Sequence, residues 1–224
     1  LTPRTAHAQC EGTPFACAVD EAIDRGLQYL RNLERGTGTM PEDGGGSPDH
    51  NFLAALTFLE KRTGVGWQGA VQGYNGMSPD DQALVIRLVQ RMITGHGPMT
   101  NPNAVPYSYV TGGNLMALSS FVITGGPDEV GAGTTVTQAI ANGVVALHQS
   151  QGINAPNNGG WDYNARSNRR DLSTTQFAVA GLSASSSIVE GAEAPLLNTV
   201  NMLTAAVNAC LLYTSDAADE AKCG

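Results

Sequence analysis

The chain has 224 residues, of which 42% are hydrophobic and only 14% charged, with 27 glycines. That composition belongs to a folded chain with a buried core, not to a disordered one. A formal net charge of −8 with no Lys/Arg block argues against nucleic acid and anionic membrane surfaces as partners, and no apolar run reaches the length of a membrane span.

At the start, Ala6-His7-Ala8 has the small-x-small form of a signal-peptidase site, with Arg4 ahead of it. Residues 1–8 read as the remnant of a signal peptide, which would place the protein in the periplasm, at the cell surface or outside the cell. An ordinary Ala-rich lead-in is the alternative. In an exported protein, Cys10 and Cys17 would be a disulfide closing a short loop; otherwise they are two thiols.

Helical periodicity predicts seven helices. The first covers 19–33, with Val19, Ile23, Leu27, Leu30 and Leu33 on one face. The second covers 50–62 and follows a loop centred on Gly44-Gly45-Gly46. The third starts with a clear signal: Ser78 as cap, Pro79 in the first position, then Asp80 and Asp81, running to about Thr94. A Pro-rich loop leads to the fourth helix over 113–123, and the fifth covers 135–151. The sixth opens with Ser173-x-x-Gln176, a capping box, with Leu172 and Phe177 as a hydrophobic staple. The seventh covers 194–209. No segment shows sustained strand alternation, so the expected class is all-α.

Two levels of repetition organise these helices. Ala22-Ile23-x-x-Gly26-Leu27-x-x-Leu30 returns as Ala139-Ile140-x-x-Gly143-Val144-x-x-Leu147. Ala55-Leu56, Ala117-Leu118 and Gly181-Leu182 mark similar points of the even helices. The repeating unit is thus a helix pair, and the small residues would let neighbouring helices approach closely. Residues 9–209 form one repeat domain on this reading. Beyond it, Cys210-Leu211-Leu212-Tyr213-Thr214-Ser215 resembles the translated transposon end used in sequencing libraries. Asp216-Ala217-Ala218-Asp219-Glu220 resembles the adapter after it. Residues 210–224 are therefore expected to be non-native, and the chain a gene fragment.

Arg25-Gly26-x-x-Tyr29-Leu30-x-x-x-Glu34-x-x-x-Gly38-x-Met40 resembles the QW repeat of terpenoid cyclases, with Glu for Gln and Met for Trp. The second copy runs Asn142-Gly143-x-x-Ala146-Leu147-x-x-x-Gln151, then a longer loop, then Gly159-Gly160-Trp161. It keeps the Gln and the Trp. The resemblance implies the α/α toroid shared by terpenoid cyclases and protein prenyltransferases, here an incomplete, open arc. Odd helices would be outer and even helices inner. It assigns Gly26, Glu34, Gly143, Gln151, Trp161, Ser173 and Gln176 structural roles, with Gln capping a helix end and Trp tying one repeat to the next.

The family's chemistry does not come with the scaffold. Where a cyclase of this family carries Asp-x-Asp-Asp, the nearest match is Ser78-Pro79-Asp80-Asp81, already explained as a helix start. The four His (His7, His50, His96, His148) are scattered, Cys10 and Cys17 precede the first helix, and no metal site or cofactor is expected. The thioester motif of related proteins is absent, and Gly181-Leu182-Ser183-Ala184-Ser185 fails the nucleophile elbow at its last position. Two loop clusters ahead of inner helices could hold a ligand, apolar or glycan: Asp49, His50 and Asn51, with Asp43 nearby, and Trp161, Tyr163, Arg169, Arg170 and Asp171. Trp161 and Tyr163 would be the stacking faces; the alternative is a Trp packed into its loop, solvated Arg and a capping Asp. The expected function is a secreted repeat protein, not catalytic in the part present, that binds a ligand or partner on its inner-helix face. The alternatives are an isoprenoid cyclase whose acid lies outside this sequence and a polysaccharide-active enzyme.

Overall fold

A computed structural model of the chain describes residues 10–34, 36–40, 50–152, 159–164 and 171–215, with 206 and 209–215 by backbone only. Among these the protein is all-α apart from one hairpin. The helices are α1 (Pro14–Glu34), α2 (Asn51–Leu59), α3 (Pro79–Gly95), α4 (Gly97–Thr100), α5 (Ser108–Ile123), α6 (Val136–Ser150), α7 (Leu172–Ser185) and α8 (Glu193–Ser215). The strands are β1 (Arg62–Gly64) and β2 (Gln68–Val71), paired antiparallel with Arg62 opposite Val71 and Gly64 opposite Gln68.

Several helix starts follow their sequence signals. Ser78 accepts a hydrogen bond from the Asp81 N–H at 3.2 Å with Pro79 in the first turn, and Thr135 accepts from Gln138 N–H at 3.0 Å. Thr13-Pro14 carries the same signature: Thr13 Oγ accepts from Ala16 N–H at 3.2 Å, so α1 starts five residues earlier than periodicity predicts. The capping box at Ser173 and Gln176 is not formed. Asp171 is the cap, accepting from the N–H groups of Ser173 (2.8 Å) and Thr174 (3.0 Å), which leaves Ser173 and Gln176 exposed. With the helix starting at Leu172, the Ser173 and Thr174 N–H groups are first-turn donors, and the Asp171 carboxylate, a charged acceptor, takes both. Leu172 is exposed, so it forms no staple with Phe177. At the other end, α8 runs six residues past the expected stop at Ala209.

The helices marked by the small-residue repeat pack side by side. Near their starts, Phe52 of α2 meets Tyr109 of α5 (ring centroids 5.6 Å apart) and Phe177 of α7 (6.2 Å). Near their ends, Glu60, which closes α2, accepts from Ser120 of α5 (3.2 Å), and Ser119 of α5 meets Ser185 of α7 (3.2 Å). Contacts that join start to start and end to end mean that α2, α5 and α7 run parallel. The α5–α7 contact is backbone against backbone: a Cβ on Gly112 would sit 2.2 Å from Phe177 O, and one on Gly181 2.4 Å from Gly112 O. Gly113 likewise receives the Phe52 ring. The buried side chains of these helices, with Leu88, Met92, Met99, Ile140 and Leu147 from α3, α4 and α6, form one continuous core.

The two copies of the repeated phrase end α1 and α6 in comparable ways. After α1, Glu34 is buried and accepts from Gly36 N–H (2.9 Å) and Gly38 N–H, while Arg87 of α3 grips it through Nε (3.0 Å) and Nη2 (2.8 Å). After α6, buried Gln151 donates to Gly159 O (3.1 Å) and Pro195 O (2.8 Å) and accepts from Asn198 of α8 (3.1 Å). Each polar side chain closes its own loop and reaches a later helix. The phrase's glycines differ. Gly143 packs on Met99 and Leu115, but Gly26 is exposed with open space beside it, so it permits no close approach. It lies on the solvent side of α1, where no second helix is packed.

Candidate functional site

The parallel row brings the starts of α2, α5 and α7 to one edge, and an aromatic cluster forms there. The Tyr109 and Phe177 rings are 4.1 Å apart, and both meet Phe52. Tyr107 lies against Tyr163 at 5.6 Å. The Tyr163 carbonyl accepts from Ser108 N–H at 2.8 Å, locking the loop before α7 to the first residue of α5. Phe52 is fully buried; Tyr107, Tyr109, Tyr163 and Phe177 are half-buried, and Val105 and Leu172, which lead into α5 and α7, are exposed. Five of the chain's thirteen aromatic side chains thus gather at one edge. Burial, with Tyr163 and Tyr109 close by, raises the Tyr107 phenol above its ordinary value, so it is a hydrogen-bond donor at neutral pH.

The predicted ligand residues divide. Tyr163 belongs to the cluster. His50 is half-buried on the same edge, just before α2, and its side chain caps nothing. Asn51 and Trp161 do not face a ligand. Asn51 is fully buried, accepting from Met40 N–H (2.9 Å) and donating to Gly38 O (2.9 Å). Trp161 is 1% exposed; its indole donates to Leu147 O (2.8 Å), and its backbone pairs with Thr174 and Thr175. Asn51 pins its loop to α2 and Trp161 pins its loop to α7, so Trp161 is not a stacking face. Asp171 serves as the α7 cap. Asp43, Asp49, Arg169 and Arg170 lie outside the described residues.

Sequence reading missed Tyr107, Tyr109 and Phe177. Their signal was present: Tyr107-x-Tyr109 leads into α5 much as Trp161-x-Tyr163 precedes α7. It was hidden because the start of α5 was placed at Gly113.

The carboxylates of Asp81 and Glu34 are committed to ion pairs. Asp81 forms a two-pronged pair with Arg31, at 2.7 and 2.9 Å, which holds its carboxyl below the usual range despite partial burial. For Glu34, burial pushes the carboxyl up, but the bonds from Arg87, Gly38 and Gly36 outweigh it and leave it below its ordinary value. Among the described residues no three His, Cys, Asp or Glu side chains are grouped to hold a metal ion, and no helix is long and apolar enough to cross a membrane. Cys10 and Cys17 are joined by a disulfide.

No protein-family model, curated protein or solved structure matches this chain.

Proposed function

We propose that this is an exported α/α repeat protein, built like an open arc of the terpenoid-cyclase toroid, that binds an apolar or glycan ligand at the edge where its inner helices begin. The observation that carries the reading is the gathering of two ring pairs, Tyr109 against Phe177 and Tyr107 against Tyr163, at that edge. Half-buried phenols offer flat apolar faces and donor–acceptor hydroxyls together, the combination that fixes a ligand's orientation as well as its affinity. The Cys10–Cys17 disulfide is in keeping with an oxidising compartment.

The second reading, an isoprenoid cyclase, draws support from the same rings, whose faces suit a cationic intermediate. Its weak point is the acid. Protonating an alkene needs a carboxyl that keeps its proton, and Asp81, in the nearest match to the family's acid motif, is held below the usual carboxylate range by Arg31.

Calorimetric titration against a panel of neutral oligosaccharides and isoprenoid alcohols tests the proposal. At least one member should bind saturably, and Tyr107→Ala with Tyr163→Ala should weaken it by about tenfold or more, since stacked aromatics dominate such sites. Absence of binding across the panel, or equal binding by the double variant, contradicts it. Conversion of an isoprenoid to a cyclised product would favour the second reading.

A further inference from the structure

A second site stands at the far end of α1 and α2 from the aromatic edge. There the β1–β2 hairpin leans on α1 and leaves a cleft of about 180 Å³ between them, lined by Asp20, Asp24, Lys61, Arg62 and Trp67 among others. Asp20 fixes the hairpin in place: both its carboxylate oxygens accept from the Gly66 N–H, at 3.0 and 3.1 Å. Lys61 reaches across to Asp24 at 2.8 Å, and Arg62 donates from Nη1 to Gly69 O at 3.2 Å.

Trp67 is out of keeping with a purely structural hairpin. The register leaves a three-residue loop, Val65-Gly66-Trp67. Gly66 has φ +67 and Trp67 φ +66, and Trp67 is the single non-glycine residue in that region among the described residues. Left-handed backbone favours Gly or Asn; a bulky side chain there is strained. The strain gains no packing, because Trp67 is 65% exposed. A strained residue that keeps a large aromatic face in solvent beside a polar cleft points to function.

We propose that this cleft binds a neutral sugar ring stacked on Trp67. The four charged side chains balance, two acidic and two basic, so the cleft favours neither an anion nor a cation. They supply acceptors and donors side by side, which matches the mixed donor–acceptor character of ring hydroxyls. The indole supplies the flat apolar face such a ring covers. This proposal does not rest on the reading of the aromatic edge.

The test is a neutral-oligosaccharide array, followed by titration of the strongest hit while Trp emission is read. The chain has two Trp, and Trp161 is buried, so exposed Trp67 dominates solvent-sensitive emission. Binding should shift the emission to the blue and saturate. Trp67→Gly should abolish binding while melting at the same temperature or higher, because it relieves the backbone. Three results would overturn the proposal: no neutral oligosaccharide binds; Trp67→Gly binds as well as the parent; or Trp67→Gly melts well below it, which makes Trp67 a structural residue.

Discussion

Three glycines give opposite expectations from one substitution. Gly112 and Gly181 have neighbouring backbone within 2.4 Å of where a Cβ would stand, and backbone cannot turn aside as a side chain can. Gly112→Ala or Gly181→Ala should force α5 and α7 apart and cost about 1–3 kcal/mol or more, as overpacking does. Gly26→Ala meets open space in a helix and should stabilise by about 0.5–1 kcal/mol. Chemical denaturation of the three variants checks the set; a loss at Gly26 equal to that at Gly112 contradicts the packing described. Gln151 is a second sensitive residue. Gln151→Ala removes a buried donor to Gly159 O and Pro195 O; Thr199 Oγ1 still lies 2.7 Å from Gly159 O and 3.1 Å from Pro195 O, so the loss should be about 0.5–1.5 kcal/mol per hydrogen bond removed. At this scale the repeat spacing singles out Glu34, Gly143 and Gln151, and each is buried against a later or neighbouring helix. It misjudged Gly26, since a repeated glycine need not face a repeated neighbour. Sequence reading misjudged Asn51, because polarity does not say which way a side chain turns; of its two readings of Trp161, the buried structural tie fits and the stacking face does not.

At the level of elements, the ion pairs and one histidine set the response to acid. The Asp81 and Glu34 carboxyls are lowered in the folded state, so the stability they contribute is present above the ordinary carboxylate values. It is lost as pH falls through about 4 and below, where the unfolded chain takes up protons first. His96, between α3 and α4, is half-buried with Nε2 2.7 Å from Thr111 Oγ1, and burial lowers it from 6.5 to about 4. It stays neutral when folded but charges when unfolded, so stability should decline as pH drops from 6.5 toward 4. Melting temperatures across that range should fall in the parent and flatten in His96→Gln; an unchanged slope removes His96 as the cause. The start of α3 was legible because Ser78-Pro79 is a local signal. The early start of α5 was not, because Gly112-Gly113 reads as a break until α7 and the Phe52 ring are seen packed on it. The β1–β2 hairpin escaped because strands of three and four residues show no alternation.

Across the whole molecule, the parallel row of α2, α5 and α7 collects aromatic residues from Phe52 to Phe177 at a single edge. The all-α class could be read from the period. The site could not, since Tyr107 and Tyr109 come from the start of α5 and Tyr163 from the loop before α7, distant in sequence. The central claim is that this edge receives the ligand. Tyrosine-ring NMR on protein saturated with the strongest binder from the oligosaccharide and isoprenoid panel tests it most directly. Tyr29, exposed on α1 and outside the cluster, serves as internal reference. The account predicts that the Tyr107, Tyr109 and Tyr163 ring signals shift together while Tyr29 stays in place. Saturated protein in which those three are unmoved would contradict it.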